Sequence, residues 1–106
     1  MTTDSMRPVH PGEVLREEFL EPLGMSVNAL AQALRIPASR LHEIVHGRRS
    51  VSPDTALRLA RYFGTTAEFW MNLQVNHDLR RERAENGEAI ARDIPDPLAG
   101  EEALPH

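Results

Sequence analysis

The chain has 106 residues, 41 % of them hydrophobic, which is material for one small domain. It has no cysteine, so disulfides and thiolate metal sites are excluded and a reducing, cytoplasmic setting fits. No stretch approaches the ~20 apolar residues of a membrane span, the N-terminus lacks the apolar core of a signal peptide, and the net charge of −4 taken whole argues against a nucleic-acid partner.

The pattern along the chain predicts five helices and no strand, an all-α fold. Residues 1–10 read as an N-terminal arm, in which Met6 is an alternative start. A first helix runs from about Pro11 to Glu21, with Val14, Leu15 and Phe19 inward and Glu13, Arg16, Glu17 and Glu21 mostly outward; Pro22 and Gly24 end it. Ser26 caps a second helix whose apolar face is Leu30, Ala31 and Leu34. Ile36-Pro37 breaks it, and Pro37 suits the first turn of a third helix. There Leu41, Ile44 and Val45 form the buried stripe. The opposite face carries Ser39, Glu43 and His46, flanked by Ala38, Arg40 and His42, and Gly47 is the C-cap. Ser52-Pro53-Asp54 opens a fourth helix through Leu57, Leu59, Ala60 and Phe63, which Gly64 closes. Thr65-Thr66-Ala67-Glu68 opens a fifth, a capping box if Thr65 is the cap. It carries Phe69, Trp70, Leu73 and His77 and runs toward Asn86-Gly87. Residues 11–92 form the domain. Residues 93–106, with three prolines, four acids and no apolar period, read as a disordered tail.

Two short helices joined by a tight turn, the second ending at a glycine followed by Arg48 and Arg49, are the pattern of a DNA-binding helix-turn-helix. The charge distribution agrees. Residues 35–62 hold six arginines against Glu43 and Asp54, a net of +4. Residues 1–34 carry −3 and residues 63–106 carry −5. A local basic face is what phosphate contact requires. Phe69 and Trp70 lie about 100° apart on a helix, so both cannot sit at the centre of one small core. Either both are at its edge or one faces a second copy of the chain. Helix-turn-helix proteins commonly bind DNA as dimers, which makes Phe69, Trp70, Leu73 and His77 the candidate homodimer surface.

His42-Glu43-Ile44-Val45-His46 also matches H-E-x-x-H, the zinc-peptidase pattern with two histidines on one helical face and glutamate as general base. Three features weigh against a zinc hydrolase. The helix stops at Gly47, no histidine follows at the spacing of the extended motif, and so short a chain leaves little room for a substrate cleft. No metal, cofactor or catalytic residue is expected.

Residues 6–74 resemble the HigA/VapI type of antitoxin within the Cro/repressor-like helix-turn-helix proteins. The resemblance rests on Met6-Arg7-Pro8-Val9-His10-Pro11-Gly12-Glu13-Val14-Leu15, Leu30-Ala31, Ile44-Val45-His46-Gly47-Arg48-Arg49-Ser50-Val51-Ser52, the stretch from Ala56 to Thr65, and Phe69-Trp70-Met71-Asn72-Leu73-Gln74. It implies a bacterial, cytoplasmic, folded antitoxin, nucleoid-associated when bound to operator DNA, that dimerises, represses its own operon and sequesters a HigB-type mRNA endonuclease. The family's base-reading positions fall on Ala38, Ser39 and Glu43, with Arg40 and His42 beside them. Its phosphate contacts fall near Ser26, Asn28, His46, Arg48 and Arg49. No arginine, asparagine or glutamine lies squarely on the outward face, so specificity leans on shape or on Arg40. A stand-alone repressor without a toxin would share this DNA face. An RNA-cleaving toxin must present basic surface, and two acidic clusters face away from the third helix: Glu13, Glu17 and Glu21 at i, i+4, i+8, and the tail. The ordered first helix is the expected toxin contact.

Overall fold

The computed structural model describes residues 8–96 and Leu98. Residues 1–7 of the expected arm and most of the expected tail lie outside the described residues. Among those described, the chain is all-helical. We number the helices α1 (residues 11–23), α2 (Val27–Leu34), α3 (Ala38–Val45), α4 (Pro53–Phe63) and α5 (Ala67–Asp93).

α1 is one continuous helical stretch with a wide middle. Pro11–Val14 is α-helical, Leu15–Leu20 is π-helical and Glu21–Leu23 closes the last turn. The wide turn puts residues five apart on one side, so Leu15 and Leu20 are both buried and Arg16 reaches Glu21 at 3.0 Å. Pro22 sits inside the final turn rather than ending the helix. His10 is the N-cap, its Nδ1 accepting from the Gly12 N–H at 2.9 Å, and Pro11 takes the first turn, where no N–H is needed.

α2 and α3 have the predicted buried faces, Leu30, Ala31, Leu34 and Leu41, Ile44, Val45. The turn between them differs from expectation. α2 ends because Arg35 adopts the left-handed conformation at φ 61°, its N–H returning to Gln32, and Pro37 is the extended N-cap of α3. α4 starts at Ser52 and Pro53 as predicted. Leu57, by contrast, is 63 % exposed, on the outer side of its helix.

α5 is 27 residues long and passes Gly87 without a break. Its N-cap is Thr66, whose hydroxyl accepts from Phe69 N–H at 3.0 Å. Thr65 instead takes the indole N–H of Trp70 at 2.8 Å. That bond satisfies the one polar atom of a ring that is otherwise fully buried, with Phe19 against it at 5.2 Å. Trp70 is therefore core.

Gly12 sits where α1 crosses α3. A Cβ there would overlap the Ile44 carbonyl oxygen and crowd the Val45 Cα, both backbone atoms that cannot turn aside. Gly12→Ala should cost about 1–3 kcal/mol or more by forcing the two helices apart. Urea denaturation of the variant measures it; an unchanged midpoint would mean that the crossing is not close.

Candidate nucleic-acid interface

The face of α3 opposite its apolar stripe carries Ser39, exposed, with Arg40, His42 and Glu43 half-buried. Ala38 is also half-buried, but it packs on the core at the first helical position. Asn28 on α2 joins this face directly, its Oδ1 3.0 Å from His42 Nε2. Ser26 caps α2 by accepting from Ala29 N–H at 3.0 Å, which sets that helix's positive end beside α3. His46 is exposed, and its Nδ1 lies 2.7 Å from the His42 carbonyl.

The chain reverses at once beyond α3. Gly47 takes φ +76°, its N–H bonds Ile44 O at 3.0 Å, and Arg48 N–H bonds Glu43 O at 2.8 Å. These two bonds are the pair that closes a helix onto a left-handed residue. Arg48 and Arg49 thus emerge beside the last turn of α3, and Arg49 Nε donates to Glu43 Oε1 at 2.8 Å. Glu43 does not stand free as an acceptor.

The positive block splits in space. Arg40, Arg48 and Arg49 flank α3. Arg58 bonds the Leu34 carbonyl at the end of α2 and the Asp54 carboxylate, both at 2.9 Å, and lines with Arg61 a separate groove between α2 and α4. The excess of arginine over residues 35–62 therefore overstates the charge on the predicted DNA face.

The turn after α3 is held from two sides. The buried side chain of Gln74 accepts from Val51 N–H at 2.8 Å and donates to Asp78 at 3.0 Å. His10, 8 % exposed, packs edge-on against His77 at 4.9 Å and is hydrogen-bonded to the Arg49 backbone. His77 Nδ1 lies 3.2 Å from Asp78, and Arg81 stands 3.8 Å from the same carboxylate. A polar hollow of about 220 Å³ lies between the turn and α5, with Arg48, Arg49 and Arg81 among its walls. Burial, reinforced by His77, pushes the His10 imidazole below its ordinary range, against Asp78 and the Arg49 carbonyl. Burial opposes the charged form of Asp78, but hydrogen bonds from His77 and Gln74 outweigh it and lower its pKa. Gln74 and His10 were visible in sequence only as parts of a resemblance. Nothing in their spacing marks a buried side chain whose partner is a distant backbone amide.

Comparison with known proteins agrees with this geometry. The helix-turn-helix family matches residues 16–70. Virulence-associated protein I of Dichelobacter nodosus is 52 % identical over 77 residues, covering 73 % of this chain and 71 % of that protein. Antitoxin HigA-1 of Vibrio cholerae is 39 % identical over 79 residues, 74 % of each. The Pseudomonas aeruginosa antitoxin HigA, solved with higBA promoter DNA, superposes with a TM-score of 0.83 at 49 % identity, covering 87 % of this chain and 99 % of that one. The chain belongs to the HigA-type antitoxins of the helix-turn-helix family.

The HigA family is one of DNA-binding regulators and antitoxins, not of enzymes. The H-E-x-x-H residues of this member are engaged accordingly, His42 with Asn28, His46 with its own helix and Glu43 with Arg49. No group of three or more His, Asp or Glu side chains among the described residues is placed to hold a metal ion.

The predicted dimer surface needs correction. Trp70 is fully buried, Leu73 packs on the core and the His77 side chain is only 12 % exposed, so these three face inward. Only Phe69, 39 % exposed, keeps a free side. The spacing 70, 73, 77 marks the inner side of α5. Val75, Leu79, Ile90 and Ile94 lie on the other side, each at least 46 % exposed.

The glutamates of α1 are less free than their spacing suggested. Glu17 and Glu21 both pair with Arg16, at 3.1 and 3.0 Å, and Glu13 is half-buried beside His10 and His46. No helix among the described residues is long and apolar enough to cross a membrane.

The His10 contact gives the interface a defined pH response. Neutral Nδ1 accepts from Gly12; a protonated ring cannot, and the folded chain binds that proton less well than the unfolded chain, whose His titrates near 6.5. Stability is then full above about pH 6.5 and falls as pH drops below it. The carboxylate of Asp78, being lowered, loses its contribution only below about pH 4. The urea midpoint should fall between pH 7.5 and 5.5, and His10→Gln should shrink that fall. An equal fall in both proteins would contradict the assignment.

Proposed function

We propose that this protein is the antitoxin of a type II toxin–antitoxin pair, a homodimer that represses its own operon by binding palindromic operator DNA and that sequesters a HigB-type mRNA endonuclease in the bacterial cytoplasm. The observation that carries the reading is the exposed face of α3, packed on α2 and α1 and with its following turn braced by α5, in a chain of the HigA family. The Pseudomonas aeruginosa relative, solved with promoter DNA, supports DNA as the partner. In this reading Ser39 and Arg40 contact base edges, and Ser26, Asn28, His46 and Arg48 contact phosphates. No catalytic role is assigned to His42, Glu43 or His46.

The dimer contact is the outer stripe of α5, Val75, Leu79 and Ile90 with Phe69, because it is the apolar side that the core leaves uncovered. Half-sites about 34 Å apart follow for a two-fold dimer on B-form DNA. Arg48→Ala should weaken binding to all sequences alike and flatten the log–log salt slope by about 1. Leu79→Glu should give monomers by sedimentation and weaken the two-half-site operator far more than one half-site. Fluorescence anisotropy reads both. A change in base preference in Arg48→Ala, or dimers retained in Leu79→Glu, would count against these placements.

For the toxin, the outward side of α1 remains the contact of choice. It is ordered in the free chain and carries Glu17, Glu18 and Glu21 around a single Arg16. Glu17→Lys with Glu21→Lys should slow toxin association about tenfold or more at low salt while leaving operator binding by the free antitoxin intact. Unchanged association in that variant, with loss on truncation at Asp93, would move the site to the C-terminal segment.

A further inference from the structure

The outward face of α3 has an arginine of its own only at its flank, Arg40, and the fold brings a second one to its centre. Arg49 lies six residues beyond Glu43, and the reversal at Gly47 folds it back over the last turn of the helix. Glu43 holds the returning chain twice. Its carbonyl takes the Arg48 N–H at 2.8 Å, and its carboxylate takes Arg49 Nε at 2.8 Å. The far side of the same residue is pinned by His10, whose ring bonds the Arg49 backbone. Arg49 is thus fixed at its main chain and at its guanidinium, although its side chain remains 53 % exposed.

A guanidinium offers two pairs of donors. Glu43 takes Nε, which leaves the edge made by the two terminal nitrogens. That planar pair matches the O6 and N7 acceptors of guanine in the major groove. An exposed ion pair adds little to folding. Its effect here is to immobilise a long side chain before DNA arrives, which lowers the entropy cost of the contact. Glu43 and Ser39 are one turn apart on the same face, so the guanidinium tethered to Glu43 stands among the reading positions rather than out at the backbone.

We propose that Arg49, buttressed by Glu43, reads guanine in each operator half-site, and that Glu43 is a positioning residue rather than an acceptor for cytosine. This rests on the operator-binding reading above and changes the parts assigned to both residues: Arg49 moves from phosphate to base, Glu43 from base to support.

The test measures binding of the full-length wild type, Arg49→Lys, Glu43→Gln and the double variant. The DNA is a selected operator and all its single base-pair substitutions, at fixed salt and across a salt series. Lysine keeps the charge that a phosphate contact needs but loses the fork. The wild type should prefer guanine about tenfold or more at one position per half-site. Arg49→Lys should reduce that preference to about twofold or less with the salt slope unchanged. Glu43→Gln should lower the preference at the same position, and the double variant should be no worse than Arg49→Lys. Base preferences intact in Arg49→Lys would make Arg49 a phosphate contact and overturn the proposal. Losses at two different positions that add in the double variant would overturn it too, because Glu43 would then read a base itself. A wild type with no preference among sequences would instead remove the operator-binding reading on which the proposal stands.

Discussion

An isolated helix of eight residues does not hold its shape in water, where about 12–15 residues are needed even for good helix formers. α3 has that length, and it must present side chains in a fixed pattern. Its own sequence supplies only one stabilising stripe, Leu41, Ile44 and Val45. The rest comes from outside. Gly12 allows the start of α1 to touch the α3 backbone, and His10 holds the turn that follows through the Arg49 backbone. Gln74 holds the same turn through Val51. The proposed reading surface is therefore a property of the whole fold, and the polar network behind it belongs with that surface.

α5 serves two sides. Its first turns fill the core with Trp70 and Leu73 and supply Gln74, His77 and Asp78 to the turn after α3. Its other side keeps Val75, Leu79 and Ile90 exposed along a helix of 27 residues, about 40 Å. One rigid element thus carries both the support of the reading turn and the stripe proposed to join two copies.

Much of this was legible from residue spacing. The faces of α2 and α3, the caps at Ser26 and Ser52 and the reversal at Gly47 follow from apolar period and local backbone chemistry, which need no knowledge of neighbours. The parts that were not legible depend on neighbours. Which of Phe69 and Trp70 goes inward is decided by Phe19 and Thr65, not by helix period. The π-helical turn in α1 has no signature in composition; it is seen in the backbone, where the Glu21 N–H bonds the Arg16 carbonyl five residues back. The left-handed Arg35 occupies a place where a glycine would have been read as a stop. Glu43 looked like a free acceptor because its partner comes from a loop whose path the period cannot describe.

The edge-on meeting of His10 and His77 also sets an order of assembly on the growing chain. Synthesis delivers α1 to α4 before α5, and these can pack on one another as they emerge. The start of α1 and the turn at 47–51 cannot be locked until the first turns of α5 leave the ribosome, since Gln74 and His77 are made after both. At about 5–20 residues per second, a nascent chain has its helix-turn-helix for a second or more before that surface is braced. A chain that stops short of α5 would carry every residue proposed to read bases and lack the side chains that brace the turn behind them.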